Sequence, residues 1–369
     1  MRVEQVILRR IKMPYRSPFQ TSRWTEYERE CVIVEARADG LTGWGECVAS
    51  AVPSYSYEST TTNWHVLEDF LVPAVLAAEL PDIPAYRSAV SFISGHPMAK
   101  AGLEMALWDL FAQRAGVSLQ KLLGGSGDRV KVGVSVGIQE SPEKLLEVVN
   151  GYLADGYRRI KLKIKPGRDV SEVAIIRRHH PDLLLQADGN SVYRLGDAAY
   201  LKALDEFDLL LLEQPLGEDD IIDHAKLQAQ LRTAVCLDES IHSLDHARWA
   251  LELGACRIIN IKPGRVGGMY EAKRIHDYCL ARGIPVWMGG MLETGIGRAA
   301  NLALASLPGF TLPGDISAST RYYFEDIIET PFALNPDSTL SVPQGVGLGV
   351  AVSRPALEKV TQASKTFNA

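Results

Sequence analysis

The sequence has 369 residues, of which 46% are hydrophobic and 23% are charged, and its formal net charge is −6. A chain of this length can bury a large core and is longer than one ordinary domain. Its acidic balance argues against a nucleic acid partner, because proteins that bind nucleic acid carry a basic surface.

Two further features exclude whole classes of protein. The cysteines are scattered without CxxC spacing, which predicts reduced core residues and no disulfide framework: Cys31, Cys47, Cys236, Cys256 and Cys279. The charged N-terminus lacks the apolar block of a signal peptide, and no apolar run approaches the roughly 18 residues of a membrane-spanning helix. We therefore expect a cytoplasmic protein that contacts no membrane.

The predicted elements begin with an antiparallel sheet. Residues 2–12 and 30–38 alternate as strands do, and an Asp-Gly turn at 39–40 leads to a third strand at 44–47. Two helical patterns follow, over 60–80 and 98–115, and the Gly-rich stretch at 124–128 predicts a linker. Residues 1–127 therefore predict an α+β domain.

A regular spacing of ionisable residues organises the next part of the chain. Lys163, Asp188, Glu213, Asp238 and Lys262 are separated by 25, 25, 25 and 24 residues, and each follows or ends a short apolar run. Helical patterns lie between the runs, so each step has the length of one strand plus one helix. Ionisable groups at the same end of successive parallel strands are typical of the active site of a (β/α)8 barrel.

The barrel strands can be counted from this spacing. Residues 130–138 predict the first strand, the spaced segment supplies five, and 285–288 and 310–312 complete the set. We expect the barrel domain over 128–321. The tail, 322–369, is rich in Pro and Gly, and we expect it to return to the first domain because the ends of compact chains often meet.

Strand alternation predicts that three lysines share one face. Lys161, Lys163 and Lys165 alternate with apolar residues. Taken alone, this pattern favours a solvated edge strand. The same parity places Asp188 and Lys262 with polar neighbours on the inward side of their strands, so we predict that the lysines point into the barrel mouth, with the direction of Lys165 left open.

Three carboxylates at this mouth predict a metal site. Asp188, Glu213 and Asp238 follow consecutive strands and would repel one another strongly where water is scarce. A divalent cation removes the repulsion, and oxygen ligands favour Mg²⁺. One such acid alone is more typical of a helix cap or turn, but three at equal spacing are not.

The two outer lysines predict the chemistry. Lys163 and Lys262 flank the acids in strand order, so a closed barrel places them on opposite sides of the metal. A nearby cation should lower a lysine pKa from about 10.4 and make the amine a usable base. The metal would hold a substrate carboxylate and stabilise the dianion formed when the α-proton leaves. Two bases on opposite faces suit a 1,1-proton transfer.

Several motifs resemble the enolase superfamily over nearly the whole chain: KLKIKPG, DGNSVY, EQPL, LDES, NIKPGRVGG and, at 43–46, GWGE. A lysine on each side of the acids is similar to the muconate-lactonizing-enzyme subgroup. NIKPGRVGG together with VWMGGMLETGIGRAANLALASLPGFTLPGDISAS resembles the o-succinylbenzoate synthase/N-succinylamino acid racemase family. The resemblance implies an α/β fold with a (β/α)7β TIM-type barrel, and an α+β capping domain built from the N-terminal segment and the C-terminal tail.

The resemblance also implies roles for the spaced residues. Asp188, Glu213 and Asp238 would bind Mg²⁺, with Mn²⁺ or Co²⁺ as substitutes, and Lys163 and Lys262 would be the acid/base pair. The implied activity is racemisation of N-succinylamino acids (N-acylamino acids), together with the dehydration that yields o-succinylbenzoate. In the dehydration, Lys163 would serve both proton steps while Lys262 stabilises the enolate. Relatives form dimers or octamers, so we expect a homo-oligomer with a small carboxylate substrate.

Other residues are expected to contact the substrate or to support the site. Arg265 is associated in relatives with racemase activity, through Lys262. Phe19 and Tyr55 lie in cap loops and are the leading candidates for the acyl-side pocket, although plain surface loops fit the sequence equally well. The remaining candidates lie in or near the barrel mouth: Ser135, Lys161, Asn190, Gly290, Met291 and Glu293.

Some alternatives stay open at this point. The chain has Gly189 and Met288 where relatives have Ala and Cys, and it lacks the Asp-any-Asp sequence of dipeptide epimerases at the last strand. A synthase dedicated to menaquinone biosynthesis, or another muconate-cycloisomerase-like enzyme, would use the same five groups. A catalytically silent barrel used for binding is the non-enzyme alternative, and the intact set of lysines and acids argues against it.

One motif points elsewhere. GIGRAA at 295–300 matches a dinucleotide-binding fingerprint, with Asp315 following it at the appropriate distance. The context is wrong, because the match lies late in the barrel. We predict instead a glycine-rich helix start that holds an anionic group of the substrate or packs closely.

Overall fold

The computed structural model describes residues 1–369. The strands, β1 to β13 in chain order, are Gln5–Gln20, Thr25–Ala38, Leu41–Cys47, Arg129–Lys131, Val134–Val136, Arg159–Lys163, Leu184–Asp188, Leu211–Glu213, Val235–Leu237, Ile258–Ile261, Val286–Met288, Thr339–Ser341 and Thr361–Asn368. The helices, α1 to α14, are Thr60–Val66, Val72–Ala77, Ile83–Ala89, Pro97–Arg114, Leu119–Leu123, Pro142–Ala154, Asp169–His179, Ala198–Leu201, Ile222–Gln228, Leu244–Glu252, Pro263–Val266, Met269–Leu280, Gly295–Ala305 and Arg354–Val360. No helix is long and apolar enough to cross a membrane.

The first sheet is antiparallel, with the strand order β13-β1-β2-β3, and both of its faces are buried. Leu8 and Val34 are paired in register and belong to a core that includes residues of α1 and α4. Ile11 and Ile33 belong instead to the larger core that contains the barrel. Because successive side chains of a strand point to opposite faces, β1, β2 and β3 each contribute to both cores, whereas β13 is mostly exposed. The sheet is therefore a layer between its own helices and the barrel.

The second sheet is a curled parallel sheet of seven strands, in the order β11-β10-β9-β8-β7-β6-β5. The segment 310–315 joins its two edges: Leu312 N donates to Val286 O on one side, and Gly133 N donates to Gly314 O on the other. Seven strands and this closing segment form the predicted TIM-type barrel. The fold class is thereby confirmed.

One strand prediction was wrong. Residues 130–138 do not form a single barrel strand: β4 pairs with β12 outside the barrel, and only β5 enters the parallel sheet. Gly133 lies between the two pieces and packs on the buried Arg159, whose Nε would lie 2.3 Å from a Cβ at this position. The guanidinium therefore occupies the space that a continuous strand with a larger side chain would need.

Other element boundaries differ from the sequence patterns. β1 extends to Gln20 and β2 begins at Thr25, so the first hairpin reaches much further than predicted. The helical pattern over 60–80 is interrupted by a π-helical turn at Leu67–Leu71 and ends at Ala77. Helix α3 was not predicted from the sequence, although Asp82 caps it and Pro84 lies in its first turn, which together are a recognisable start signal.

The C-terminal strand pairs with the N-terminal one, with Gln5 opposite Asn368. The tail also contacts the first hairpin at Arg16, whose N–H donates to Tyr322 O. We keep the division into a capping segment (1–127), a barrel domain (128–321) and a returning tail (322–369) as a proposal.

We predict that α4 crosses β3 too closely for any larger residue at Gly102. A Cβ there would lie 2.1 Å from Cys47 Sγ, so Gly102→Ala should lower the free energy of unfolding by about 1–3 kcal/mol through overpacking. Gly151 is the control, because it lies within α6 with open space around it, and Gly151→Ala should stabilise by about 0.5–1 kcal/mol. Thermal unfolding of the two variants measures both effects, and a stabilised Gly102→Ala would contradict the close contact.

Candidate active site

The register of the parallel strands brings the predicted residues to one level. Lys163 on β6 is paired with Asp188 on β7, and Asp188 is paired with Glu213 on β8. Lys163 and Lys262 follow the second and sixth strands in the barrel order, so four strand positions of eight separate them. Both lysines line one cleft of about 660 Å³ at the carboxyl ends of the strands. The barrel thus places two amines across a common cavity.

Each carboxylate is paired with a cation. Lys163 Nζ lies 2.7 Å from Asp188 Oδ2, and Lys161 Nζ lies 2.9 Å from Glu213 Oε2. Lys262 Nζ lies 2.6 Å from Asp238 Oδ2, and Arg265 donates to Oδ1 of the same carboxylate. All these side chains are at least nine-tenths buried. The lysines, and not the acids, face the cleft, so the carboxylates form its floor.

Burial and mutual repulsion act on the carboxylates. Burial, followed by the charge of Asp188, raises the pKa of Glu213 to about 8. Burial also acts to raise the pKa of Asp188, but the charge of Lys163 and other nearby cations more than offset this effect. For Asp238, the charges of Lys262 and Arg265 outweigh burial in the same way. Both pKa values therefore lie below their usual range. The three acids therefore share one low-dielectric space and compete for positive charge.

The donor set fits a hard divalent cation, although the acids do not converge on one point as they stand: no three Asp, Glu, His or Cys side chains are close enough to hold a metal ion. Two further oxygen atoms beside the acids, Asn190 Oδ1 and Glu239 Oε2, are buried without a hydrogen-bond partner. A group of carboxylate and amide oxygens, partly unsatisfied and mutually repelling, is the environment that Mg²⁺ prefers.

The expected depression of the lysine pKa does not hold for Lys262 in this structure. Burial lowers the pKa of Lys262, but the carboxylate of Asp238, the hydroxyl of Tyr55 and Glu239 raise it by more, so the net shift is upward. The pKa of Lys161 is likewise raised well above its usual value, because Asp315, Glu213 and Asp188 outweigh the effect of burial. The expectation assumed a cation beside the lysines, whereas here carboxylates are their nearest neighbours.

A second layer of charge lies below the site and was missed in the sequence. Asp315 lies 2.6 Å from both Lys161 Nζ and Arg159 Nη1, and it accepts a hydrogen bond from Ser135 Oγ. The ring of Trp287 closes this layer, with its centroid 4.9 Å from Lys161 Nζ. Asp315 ends the closing segment of the barrel, so its position shortly after the last predicted strand, 310–312, was the available signal. Glu239, next to Asp238 in LDES, was missed in the same way.

Most of the weaker candidates line the cleft: Phe19, Tyr55, Ser135, Lys161, Asn190, Gly290 and Met291. Tyr55 comes closest to the reacting groups, since its hydroxyl donates to Asp238 Oδ1 at 2.9 Å and its ring centroid lies 4.5 Å from Lys262 Nζ. The structure adds lining residues that were not predicted from the sequence, among them Trp24, Ser50 and Tyr322.

Two candidates lie outside the cleft. Arg265 lies behind Asp238 and also donates to the backbone oxygens of Ile241 and Asn260. It shares the Asp238 carboxylate with Lys262. Glu293 points back into the protein, where it accepts from Met291 N and Asn301 Nδ2. Lys165 is partly exposed, and Met288 is buried within β11 and does not line the cleft.

The glycine-rich helix start at 295 is occupied by a side chain of the protein itself. Glu46 on β3 accepts from Thr294 Oγ1 at 2.7 Å and from Gly297 N at 3.1 Å. Gly295 packs on Ile328, whose Cδ1 would lie 2.3 Å from a Cβ there. The expected close packing is confirmed, whereas an anionic substrate group or a pyrophosphate finds no space at this helix start.

Comparison with known proteins identifies the family. Residues 3–124 match the N-terminal domain of the mandelate racemase/muconate lactonizing enzymes, and residues 144–356 match the enolase C-terminal domain-like family. The chain belongs to this family of the enolase superfamily. It is similar to an o-succinylbenzoate synthase of Geobacillus kaustophilus, with 52% identity over 99% of this chain and 98% of that protein.

Two more similarities are informative. An N-succinylamino acid racemase of an Amycolatopsis species is also 52% identical, over 98% of both chains. A crystal structure of an enolase superfamily member from Listeria innocua, 41% identical, superposes with a TM-score of 0.96 over 100% of this chain and 99% of that one. These relatives are enzymes by name, and enolase superfamily enzymes of this kind generally depend on a divalent metal ion.

We predict that Asp315→Asn strongly destabilises the protein. The substitution leaves Arg159 buried without a charged partner, and breaking a buried ion pair in this way costs about 3–5 kcal/mol of the free energy of unfolding. Denaturant unfolding of the variant measures the loss.

The control is Asp337→Asn, which removes the exposed carboxylate paired with Arg129 and should change stability little. Equal losses in the two variants would show that the buried pairing of Asp315 is not what stabilises the barrel.

Proposed function

We propose that this protein is a metal-dependent N-succinylamino acid racemase that also catalyses the dehydration to o-succinylbenzoate. The observation that carries the proposal is the placement of Lys163 and Lys262 across one cleft, above a floor of carboxylates. Two amines on opposite sides of one substrate carbon suit removal of a proton from one face and its return to the other.

The choice of substrate is supported by the relatives. Proteins named as the synthase and as the racemase are equally similar to this chain and cover nearly all of it. Both named reactions break a bond between carbon and hydrogen, and the same pair of lysines can serve either. We therefore assign both activities to this site, with N-succinylamino acids, and N-acylamino acids more broadly, as the racemase substrates.

The metal site is assigned to Asp188, Glu213 and Asp238, with Mg²⁺ as the ion and Mn²⁺ or Co²⁺ as substitutes. When bound, the ion would supply positive charge at the substrate carboxylate as the α-proton leaves. The proposal is supported by the oxygen donor set and by the raised pKa of Glu213, which is caused by burial and by the neighbouring carboxylate of Asp188.

The side chains of the protein carry the proton steps. In racemisation, Lys163 takes the α-proton of one enantiomer while Lys262 protonates the opposite face, and the reverse reaction exchanges their roles. In the dehydration, Lys163 serves both proton steps and Lys262 stabilises the enolate by its charge. Lys161, held between Glu213, Asp188 and Asp315, is placed to bind the substrate carboxylate.

A synthase dedicated to menaquinone biosynthesis is the second candidate, since several similar proteins carry only the synthase name. A protein of that kind would dehydrate the precursor of o-succinylbenzoate and leave N-succinylamino acids unchanged. We further propose a cytoplasmic homo-oligomer, a dimer or an octamer, with small-molecule carboxylates as its partners.

We predict that Lys163→Ala and Lys262→Ala each abolish racemisation. In each variant the remaining lysine can still remove and return a proton on its own face, so exchange should persist for one enantiomer of N-succinylphenylalanine only. Proton NMR in D2O with Mg²⁺ measures loss of the α-proton signal, and polarimetry measures inversion. Full racemisation by either variant would refute the assignment of two bases.

The same NMR measurement on the unmodified protein decides between the candidates. Exchange with inversion of N-succinyl-L-phenylalanine supports the racemase, whereas turnover of the synthase precursor alone supports the dedicated synthase. Inactivity on both would refute this substrate class and leave another muconate-cycloisomerase-like reaction or a catalytically silent barrel as the alternatives.

We predict that a chelator abolishes activity and that Mg²⁺ restores it. Asp188→Asn should weaken Mg²⁺ binding by about tenfold or more, because it removes a charged oxygen ligand. Isothermal titration calorimetry measures the affinity, with Asp337→Asn as the control that leaves it unchanged. Equal affinity for Asp188→Asn and the unmodified protein would remove Asp188 from the ligand set.

A further inference from the structure

The loop Gly290–Glu293 forms one wall of the cleft but has an unusual backbone. Gly290, Met291 and Leu292 line the cavity, and Met291 packs in a small apolar cluster with Val48, Met98 and the cap residue Tyr55. Leu292 has a φ of 55°, in the left-handed region that a leucine rarely adopts. Such a conformation persists only where surrounding contacts hold it.

These contacts come from behind the loop. The Glu293 carboxylate accepts from Met291 N at 3.0 Å and from Asn301 Nδ2 at 2.8 Å, and Arg298 Nη2 donates to Glu293 O. Both Asn301 and Arg298 belong to α13. The position of the wall therefore depends on where α13 begins and how it is oriented.

The start of α13 is fixed from the capping domain. Glu46 is 1% exposed, and its carboxylate accepts three hydrogen bonds at the start of α13. The donors are Thr294 Oγ1 at 2.7 Å, Thr294 N at 3.1 Å and Gly297 N at 3.1 Å. Gly297 cannot carry a side chain here, because a Cβ would lie 2.8 Å from Glu46 Oε2. A carboxylate at this end also complements the positive end of the helix dipole.

One cation stands behind the carboxylate. Arg29 Nη2, on β2, lies 3.6 Å from Glu46 Oε1, and both side chains are almost fully buried. The pair joins two adjacent strands of the capping sheet to the barrel helix. Neither Arg29 nor Glu46 lines the cleft.

We propose that Glu46 is a positioning residue for the reaction. It binds the start of α13 from the capping domain and thereby holds the loop Gly290–Glu293 against the substrate, without touching the substrate itself. The proposal rests on the proposed function for its kinetic test, and on the contacts alone for its structural test.

The kinetic test uses Glu46→Gln, which keeps the size of the side chain but removes its charge and one acceptor oxygen. A displaced wall loses contacts that bind the substrate before and during the reaction, so KM for N-succinyl-L-phenylalanine should rise by about tenfold or more while kcat changes by less than about threefold. The Mg²⁺ affinity should stay unchanged.

Asp109→Asn is the matched control. Asp109 is also a buried carboxylate of the capping segment that accepts from backbone N–H groups, those of Trp44 and Leu348, but neither of these residues lines the cleft. If Glu46 and Asp109 both act only in general stability, Glu46→Gln and Asp109→Asn will have the same KM for N-succinyl-L-phenylalanine. That result, or a KM for Glu46→Gln within about twofold of the unmodified protein, would overturn the proposal.

The structural test needs no substrate. Hydrogen exchange followed by mass spectrometry should show faster exchange in the segment 290–297 of Glu46→Gln and not of Asp109→Asn, because a released helix start opens more often. Unchanged exchange in this segment would also overturn the proposal. If the unmodified protein has no activity on either substrate, the proposed function fails and the exchange result alone decides the positioning role.

A third variant keeps the proposal testable if Glu46→Gln does not fold. Thr294→Val removes the hydroxyl that donates to Glu46 Oε2 and leaves the carboxylate in place. It should shift KM and the exchange of 290–297 in the same direction as Glu46→Gln, and unchanged values in a folded Thr294→Val would count against the proposal.

Discussion

Ten buried ionisable side chains in and around the barrel constrain the rest of the molecule. The acids are Asp188, Glu213, Asp238, Glu239 and Asp315, and the cations are Arg159, Lys161, Lys163, Lys262 and Arg265. Burying one charge without a partner costs several kcal/mol, so each must lie within reach of the opposite sign. The parallel register satisfies this condition for Asp188, because it places Lys163 of β6 beside that acid, with Glu213 of β8 on the other side. Glu239 is the exception: it has no cation partner, and burial together with the charge of Asp238 raises its pKa to about 7. The formal charges balance, and a divalent cation together with a substrate carrying two carboxylates would keep them balanced.

This arrangement separates the roles of the two layers. In the lower layer, Asp315 binds Arg159 and Lys161 above the Trp287 ring, and these groups leave little freedom to the Lys161 side chain. In the upper layer, Lys163 and Lys262 each have one carboxylate partner and one side open to the cleft. Under the proposed function, the lower layer would hold a carboxylate of the substrate, and the two lysines of the upper layer would exchange a proton with its α-carbon.

The capping sheet contributes side chains to the cleft and also binds a barrel helix. Its long hairpin and the loop after β3 supply Phe19, Trp24 and Tyr55 to the cleft, while Glu46 binds the start of α13. Because one face of the sheet belongs to the barrel core, the cap cannot move as a free lid without breaking that core. Substrate contacts from the cap and from the barrel are thus fixed relative to each other by a buried carboxylate and by apolar packing.

The sequence alone determined the barrel, the two lysines and the three acids, because a period of about 25 residues reports the strand–helix unit directly. It also predicted the antiparallel sheet of the first domain, but not that the faces of this sheet join two different cores, since alternation does not say what each face packs against. The tertiary structure decided the rest. Arg159 and Asp315 join the site through strand closure, a contact between residues 156 positions apart. Glu239 joins it through a contact with Asn190, 49 positions away. The split of residues 130–138, the inward turn of Glu293 and the binding of Glu46 to α13 likewise depend on packing between distant segments, on which local pattern carries no information.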